Sequence, residues 1–141
     1  MALVKKIKDR KVNIEFNKEF IKVINEKIKS KDTDFLDKSL NELLPADSAD
    51  IIENLSPENR SKLIELEGFN IEPEIFIELN ESIQTEIFLL LSIESIASLL
   101  KKLESDNALK ILENLDKSKK ETVLNRLPPK DRFLLEEGLS Y

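Results

Sequence analysis

Leucine returns along this chain at almost fixed intervals, at Leu44, Leu55, Leu66, Leu79, Leu91, Leu103, Leu115 and Leu127. The steps are 11, 11, 13, 12, 12, 12 and 12 residues. About twelve residues make one helix of roughly two to three turns and a tight corner. Helix-start signals follow most of these leucines. Examples are Ser56-Pro57-Glu58, Ser92-Ile93-Glu94, Ser105-Asp106, Asp116-Lys117 and Pro128-Pro129-Lys130-Asp131. Ser and Asp can cap the orphan N–H groups of a new helix, and Pro suits its first turn. Between starts the apolar residues keep helical period, as in Ile93, Ile96, Leu99, Leu100 and Leu103. A helix this short does not hold in water alone and must bury its apolar stripe on its neighbours. The expected fold is therefore all-α, a right-handed superhelix or solenoid of short stacked helices.

Two helices are expected ahead of the row. Asn17 can cap one that carries Phe20, Ile21, Ile24 and Ile28, and Asp32 or Thr33 can cap one that carries Leu36, Leu40, Leu43 and Leu44. The step of 13 falls at Glu67-Gly68-Phe69-Asn70, where Gly68 is expected to end a helix in the left-handed conformation. Residues 1–15 read as a basic tail, and residues 16–141 as one domain and a fragment of something longer. No strand pattern is present. The aromatic residues Phe20, Phe35, Phe76, Phe88 and Phe133 fall at core spacing.

Composition narrows the chemistry. The 141 residues include 23 Leu and 16 Ile, enough for a core, but no Cys, His or Trp. That excludes disulfides, Cys/His zinc sites, a Cys nucleophile and a His base. The only glycines are Gly68 and Gly138, so no phosphate-cradling glycine loop exists. Nothing meets the geometric requirements of a catalytic site, and the chain reads as a non-enzyme. The longest uncharged run, Ile87 to Ile93, is far short of the ~20 residues a membrane span needs, and the N-terminus lacks a secretory pattern. A soluble intracellular domain is expected.

Charge is unevenly placed. Residues 1–31 carry 10 basic and 4 acidic groups, residues 32–100 carry 3 and 16, and residues 101–141 carry 9 and 8. The acidic middle repels nucleic acid and attracts cations or basic surfaces. Magnesium fits such a surface, since it takes oxygen ligands and keeps much of its water.

The order of motifs resembles a known family. Leu44-Pro45-Ala46-Asp47-Ser48-Ala49-Asp50-Ile51-Ile52-Glu53-Asn54-Leu55 resembles the signature of the cytosolic N-terminal domain of MgtE-type magnesium transporters. Leu55-Ser56-Pro57-Glu58 and Leu127-Pro128-Pro129-Lys130-Asp131-Arg132 resemble its "LxPExR" units, and Leu134 to Tyr141 its "LL…LxY" ending. The resemblance implies a chain that continues into CBS domains and a membrane pore, in a homodimeric transporter. It implies a regulatory Mg²⁺ shared with the CBS domains, with Asp106 and Glu74 as metal carboxylates and Asp47 and Asp50 as partner-facing ones. Of the family's D-D-x-x-D unit only Asp106 keeps its acid here, and Lys110 stands where a carboxylate is expected. The repeat also resembles the middle helical domain of the flagellar motor switch protein FliG, which implies the alternative of a protein–protein scaffold.

Overall fold

The computed structural model describes residues 14–67 and 71–139. Among these residues every regular element is a helix. They are α1 (Ile14–Lys29), α2 (Thr33–Glu42), α3 (Pro45–Asn54), α4 (Pro57–Glu67), α5 (Pro73–Glu78), α6 (Glu81–Leu90), α7 (Ile93–Lys101), α8 (Ser105–Glu113), α9 (Lys117–Asn125) and α10 (Pro129–Leu139). The expected all-α class and the twelve-residue rhythm are both present. The helices fall into two compact units, α1–α5 and α6–α10.

The rhythm comes from the corners. Leu43, Leu55, Leu79 and Leu91 are the C-cap residues of α2, α3, α5 and α6, and each turns to an extended backbone. After α7, α8 and α9 one more helical residue intervenes (Lys102, Asn114, Arg126) before Leu103, Leu115 and Leu127. Leu43, Leu55, Leu79, Leu115 and Leu127 are buried, and Leu91 and Leu103 half-buried. The next helix then starts on its own cap. Asp32, Asn80, Ser92 and Asp116 each accept a backbone N–H three residues on, and Ser56 accepts from Asn59 at 3.1 Å.

Within each unit the closest packing joins helices two places apart, except that α1 packs most on its neighbour α2. In the first unit α3 lies on α5, and α1 and α2 both lie against α4. Phe20, Ile24, Leu36, Leu40, Ile52, Leu63 and Phe76 close that core. In the second unit α7 lies on α9 and α8 on α10, around Ile87, Phe88, Ile96, Ile111, Leu112 and Val123. A Cβ added at Gly138 would sit 2.5 Å from Leu109 Cδ1, so the glycine lets α10 approach α8 closely.

The α1–α2 corner shows the local chemistry most fully. Lys31 takes φ 57°, and the N–H groups of Lys31 and Asp32 donate to Ile28 and Lys27 carbonyls at 3.1 and 3.0 Å. That is a Schellman ending with lysine in the left-handed place. Asp32 then accepts the Phe35 N–H at 3.2 Å and pairs with Lys27 at 3.2 Å. The Phe35 N–H first, and Lys27 second, hold the Asp32 carboxyl below its ordinary range. A depressed carboxyl adds stability above its unfolded pKa and loses it as pH falls through the folded value. Thermal melts of wild type and Asp32→Asn between about pH 7 and pH 2 should therefore converge as the pH drops through and below the ordinary carboxylate range. Parallel curves down to the lowest pH would show that the cap is not titrating.

Four expectations are corrected. The first buried corner leucine is Leu43, 4% exposed, not Leu44, which is 42% exposed and serves as the N-cap of α3. Helix α1 begins at Ile14, so Asn17 lies inside its first turns and is no cap. Helix α8 begins at Ser105 as expected, but its N-cap is Glu104, with no side-chain cap bond. Phe133 is 62% exposed and belongs to no core, and Phe35 is half-buried beneath the Lys27 ammonium. The expected ending at Gly68, the basic tail up to residue 13, and Ser140-Tyr141 lie outside the described residues.

Candidate functional site

The four carboxylates singled out by sequence all stand on helices, three of them in a first turn. Pro45 and Pro73 open α3 and α5, which puts Asp47 and Glu74 at the positive ends of those helices. Asp106 takes the same place in α8, after Ser105. Asp50 follows Asp47 by one turn of α3. Glu74, Asp50 and Asp106 are exposed, whereas Asp47 is half-buried. Asp47, Asp50 and Glu74 belong to one unit, on helices that pack together, and Asp106 belongs to the other. Among the described residues no three carboxylates converge into a metal site. Carboxylate oxygens are hard donors, of the kind that Mg²⁺ takes one or two at a time while keeping water.

Arg60 is the residue that sequence reasoning passed over. It is 4% exposed and lies on α4. Its guanidinium reaches back over the corner to the end of α3. It donates to the carbonyls of Ile52 at 3.1 Å, Glu53 at 3.2 Å and Leu55 at 2.8 Å. Those carbonyls carry the negative end of the helix, and a planar fork of N–H donors suits them. Ser48 occupies the same repeat position one unit earlier. Its hydroxyl donates to the Leu40 carbonyl at 2.5 Å, again eight residues back. The signal was available. Both residues follow a corner leucine by five, and the arginine of "LxPExR" is Arg60 itself.

This use of Arg60 shapes the surface. Residues 32–100 hold only three basic groups, Lys38, Arg60 and Lys62, against 16 acidic ones. Arg60 is buried and donates to backbone carbonyls, and Lys62 pairs with Glu58 at 3.3 Å. Glu94 pairs with Arg126 from α9. Its own backbone N–H first, and Arg126 second, hold its carboxyl below the ordinary range. Others of these acids, among them Asp34, Glu42, Asp50, Glu65, Glu72, Glu74, Glu78 and Glu81, are exposed.

Short helices stacked at a twelve-residue repeat define the class, a helical-repeat domain. More closely, the family model of the MgtE intracellular N domain matches residues 43–141, and the chain belongs to that family. Among solved structures, the crystal structure of the soluble part of a magnesium transporter is similar, with a TM-score of 0.73 and 20% identity. The likeness covers 89% of this chain and 50% of that one, so this chain spans about half its length, and at that identity it speaks to the fold. Comparison with curated proteins gives no match. Among the described residues no helix is long and apolar enough to cross a membrane.

Proposed function

We propose that this chain is the cytosolic regulatory domain of a magnesium transporter or channel, and that its exposed carboxylates sense intracellular Mg²⁺ together with neighbouring CBS domains. Membership of the MgtE intracellular N domain family carries the reading. The acidic surface of residues 32–100 supports the mechanism. When Mg²⁺ is scarce, that surface repels an acidic neighbour. Two unit charges 4 Å apart cost about 1 kcal/mol in water and about 4 at an effective dielectric of 20, so a few pairs bias a gate. When Mg²⁺ is abundant, Glu74 and Asp106 each supply one oxygen donor to hydrated ions whose other ligands come from the CBS side, and the closed arrangement gains by mass action. Asp47 and Asp50 border the partner. The moving element is the placement of the domain, not its fold.

Limited proteolysis of the intact transporter across a Mg²⁺ titration tests this. Protection should rise with Mg²⁺, and the midpoint should move up roughly threefold or more in Asp106→Asn and in Glu74→Gln, and further in the double variant. Wild-type protein with no Mg²⁺-dependent protection would overturn the sensing role. Normal midpoints in both variants would remove these two residues from it.

A further inference from the structure

Glu74 and Asp106 stand in opposite electrostatic surroundings. Helix α5 and the helix α3 on which it packs carry Asp47, Asp50, Glu53, Glu74 and Glu78, and neither has a Lys or Arg. Asp106 is in the first turn of α8, which carries Lys110 in its last. Helix α8 packs on α10 and α7, where Lys130, Arg132 and Lys101 stand among the acids. Lys110 follows Asp106 by four residues and precedes Glu113 by three, so the three share one side of α8, and all three are exposed. Acid first and lysine four later is the favourable order for such a pair. A cation is thus already in the middle of what would otherwise be a row of carboxylates.

We propose that Lys110 raises the Mg²⁺ concentration at which Asp106 responds. Its ammonium competes with the free ion for the same carboxylate, so Glu74 loads first and Asp106 later. The proposal rests on the magnesium reading and deepens it. Mg²⁺ keeps most of its water at such a site and gains little from a single carboxylate. Repulsion from an ammonium about 6 Å away, screened at physiological salt, is then enough to weaken binding roughly threefold. The response of the domain has two steps, with the Glu74 contact made over a lower range of Mg²⁺ than the Asp106 contact.

Paramagnetic broadening of backbone amide signals by Mn²⁺, which like Mg²⁺ takes oxygen ligands in an octahedral array, tests this on the 141-residue chain. In wild type, signals around Glu74 should reach half-broadening at a Mn²⁺ concentration roughly threefold below that needed around Asp106. Lys110→Ala should lower the Asp106 value roughly threefold, and Lys110→Glu roughly tenfold. Lys110→Arg keeps the charge and should match wild type. The K110A effect should shrink when salt rises from about 0.05 M to about 0.5 M. A lysine that serves only the negative end of its helix would change helix content by circular dichroism and leave the Asp106 value in place. An Asp106 value indifferent to K110A and K110E, or one at or below the Glu74 value in wild type, would overturn the proposal. So would broadening at neither carboxylate. The magnesium reading itself falls only if the intact transporter shows no Mg²⁺-dependent protection, so the two failures are distinguishable.

Discussion

Replacing Arg60 with methionine should lower the unfolding free energy by about 2–4 kcal/mol, a large share of the 5–15 kcal/mol that holds a typical domain. Methionine keeps much of the side-chain volume, so little of the effect is a cavity. What is lost is the donor set. The carbonyls of Ile52, Glu53 and Leu55 receive the guanidinium at 2.8–3.2 Å. Without it all three lose that donor, and the Ile52 carbonyl keeps the Leu55 N–H at 3.3 Å. A buried acceptor left without its donor costs more than the hydrogen bond contributed when made. Lysine at the same place should recover only part of the loss, because one ammonium cannot fork to three carbonyls. Urea unfolding measures this as a shift in midpoint at constant slope. A loss below about 0.5 kcal/mol in R60M would mean that water replaces the guanidinium at the corner.

The same residue ties fold to function. Arg60 is buried and its guanidinium donates to backbone carbonyls inside the first unit, whereas Glu74 is exposed. It follows that R60M should reduce stability yet leave the Mg²⁺ midpoint of the folded transporter in place, the opposite of what Glu74→Gln should do.

The architecture was legible because it repeats. A cap, two turns of apolar spacing and a leucine corner recur, and each recurrence confirms the others. Asp32, Ser92 and Asp116 cap as their sequence says, since an Asp or Ser ahead of an apolar-periodic run has few better uses. Position within the frame was harder. Ser105 lost the cap to Glu104 because the N-cap falls on the residue directly after the corner leucine, as at Asn80 after Leu79, Ser92 after Leu91 and Asp116 after Leu115, whatever that residue's type. Phe133 was assigned to the core on periodicity alone, but i, i+3 and i+4 describe an outward stripe as well as an inward one, and only the packing partner distinguishes them. The candidate carboxylates were legible as helix-starting acids. Their grouping was not, because the units that hold Glu74 and Asp106 are separate and no local pattern links them. Arg60 was missed because a lone arginine among acids reads as surface charge unless its repeat position is compared with Ser48.

Leu43→Ala should cost about 2–4 kcal/mol and Leu44→Ala less than about 1, though the two residues are adjacent and chemically identical. Counting back from Leu55, a step of 11 selects Leu44 and a step of 12 selects Leu43. The corner decides between them. Leu43 caps α2 with its side chain in the core, and Leu44 caps α3 with its side chain out. Truncating the first opens a cavity in the core of the first unit, whereas truncating the second removes apolar area that water already touches. Equal losses would mean that Leu44 is covered in solution, and the partner would then be the covering surface. That outcome bears on function, since Leu44 opens the Pro45-Ala46-Asp47 segment and stands one turn before Asp47. If the proposed function holds, with Asp47 and Asp50 bordering a CBS domain, Leu44 lies on that same surface, and its truncation should weaken closure of the intact transporter while costing this chain alone little.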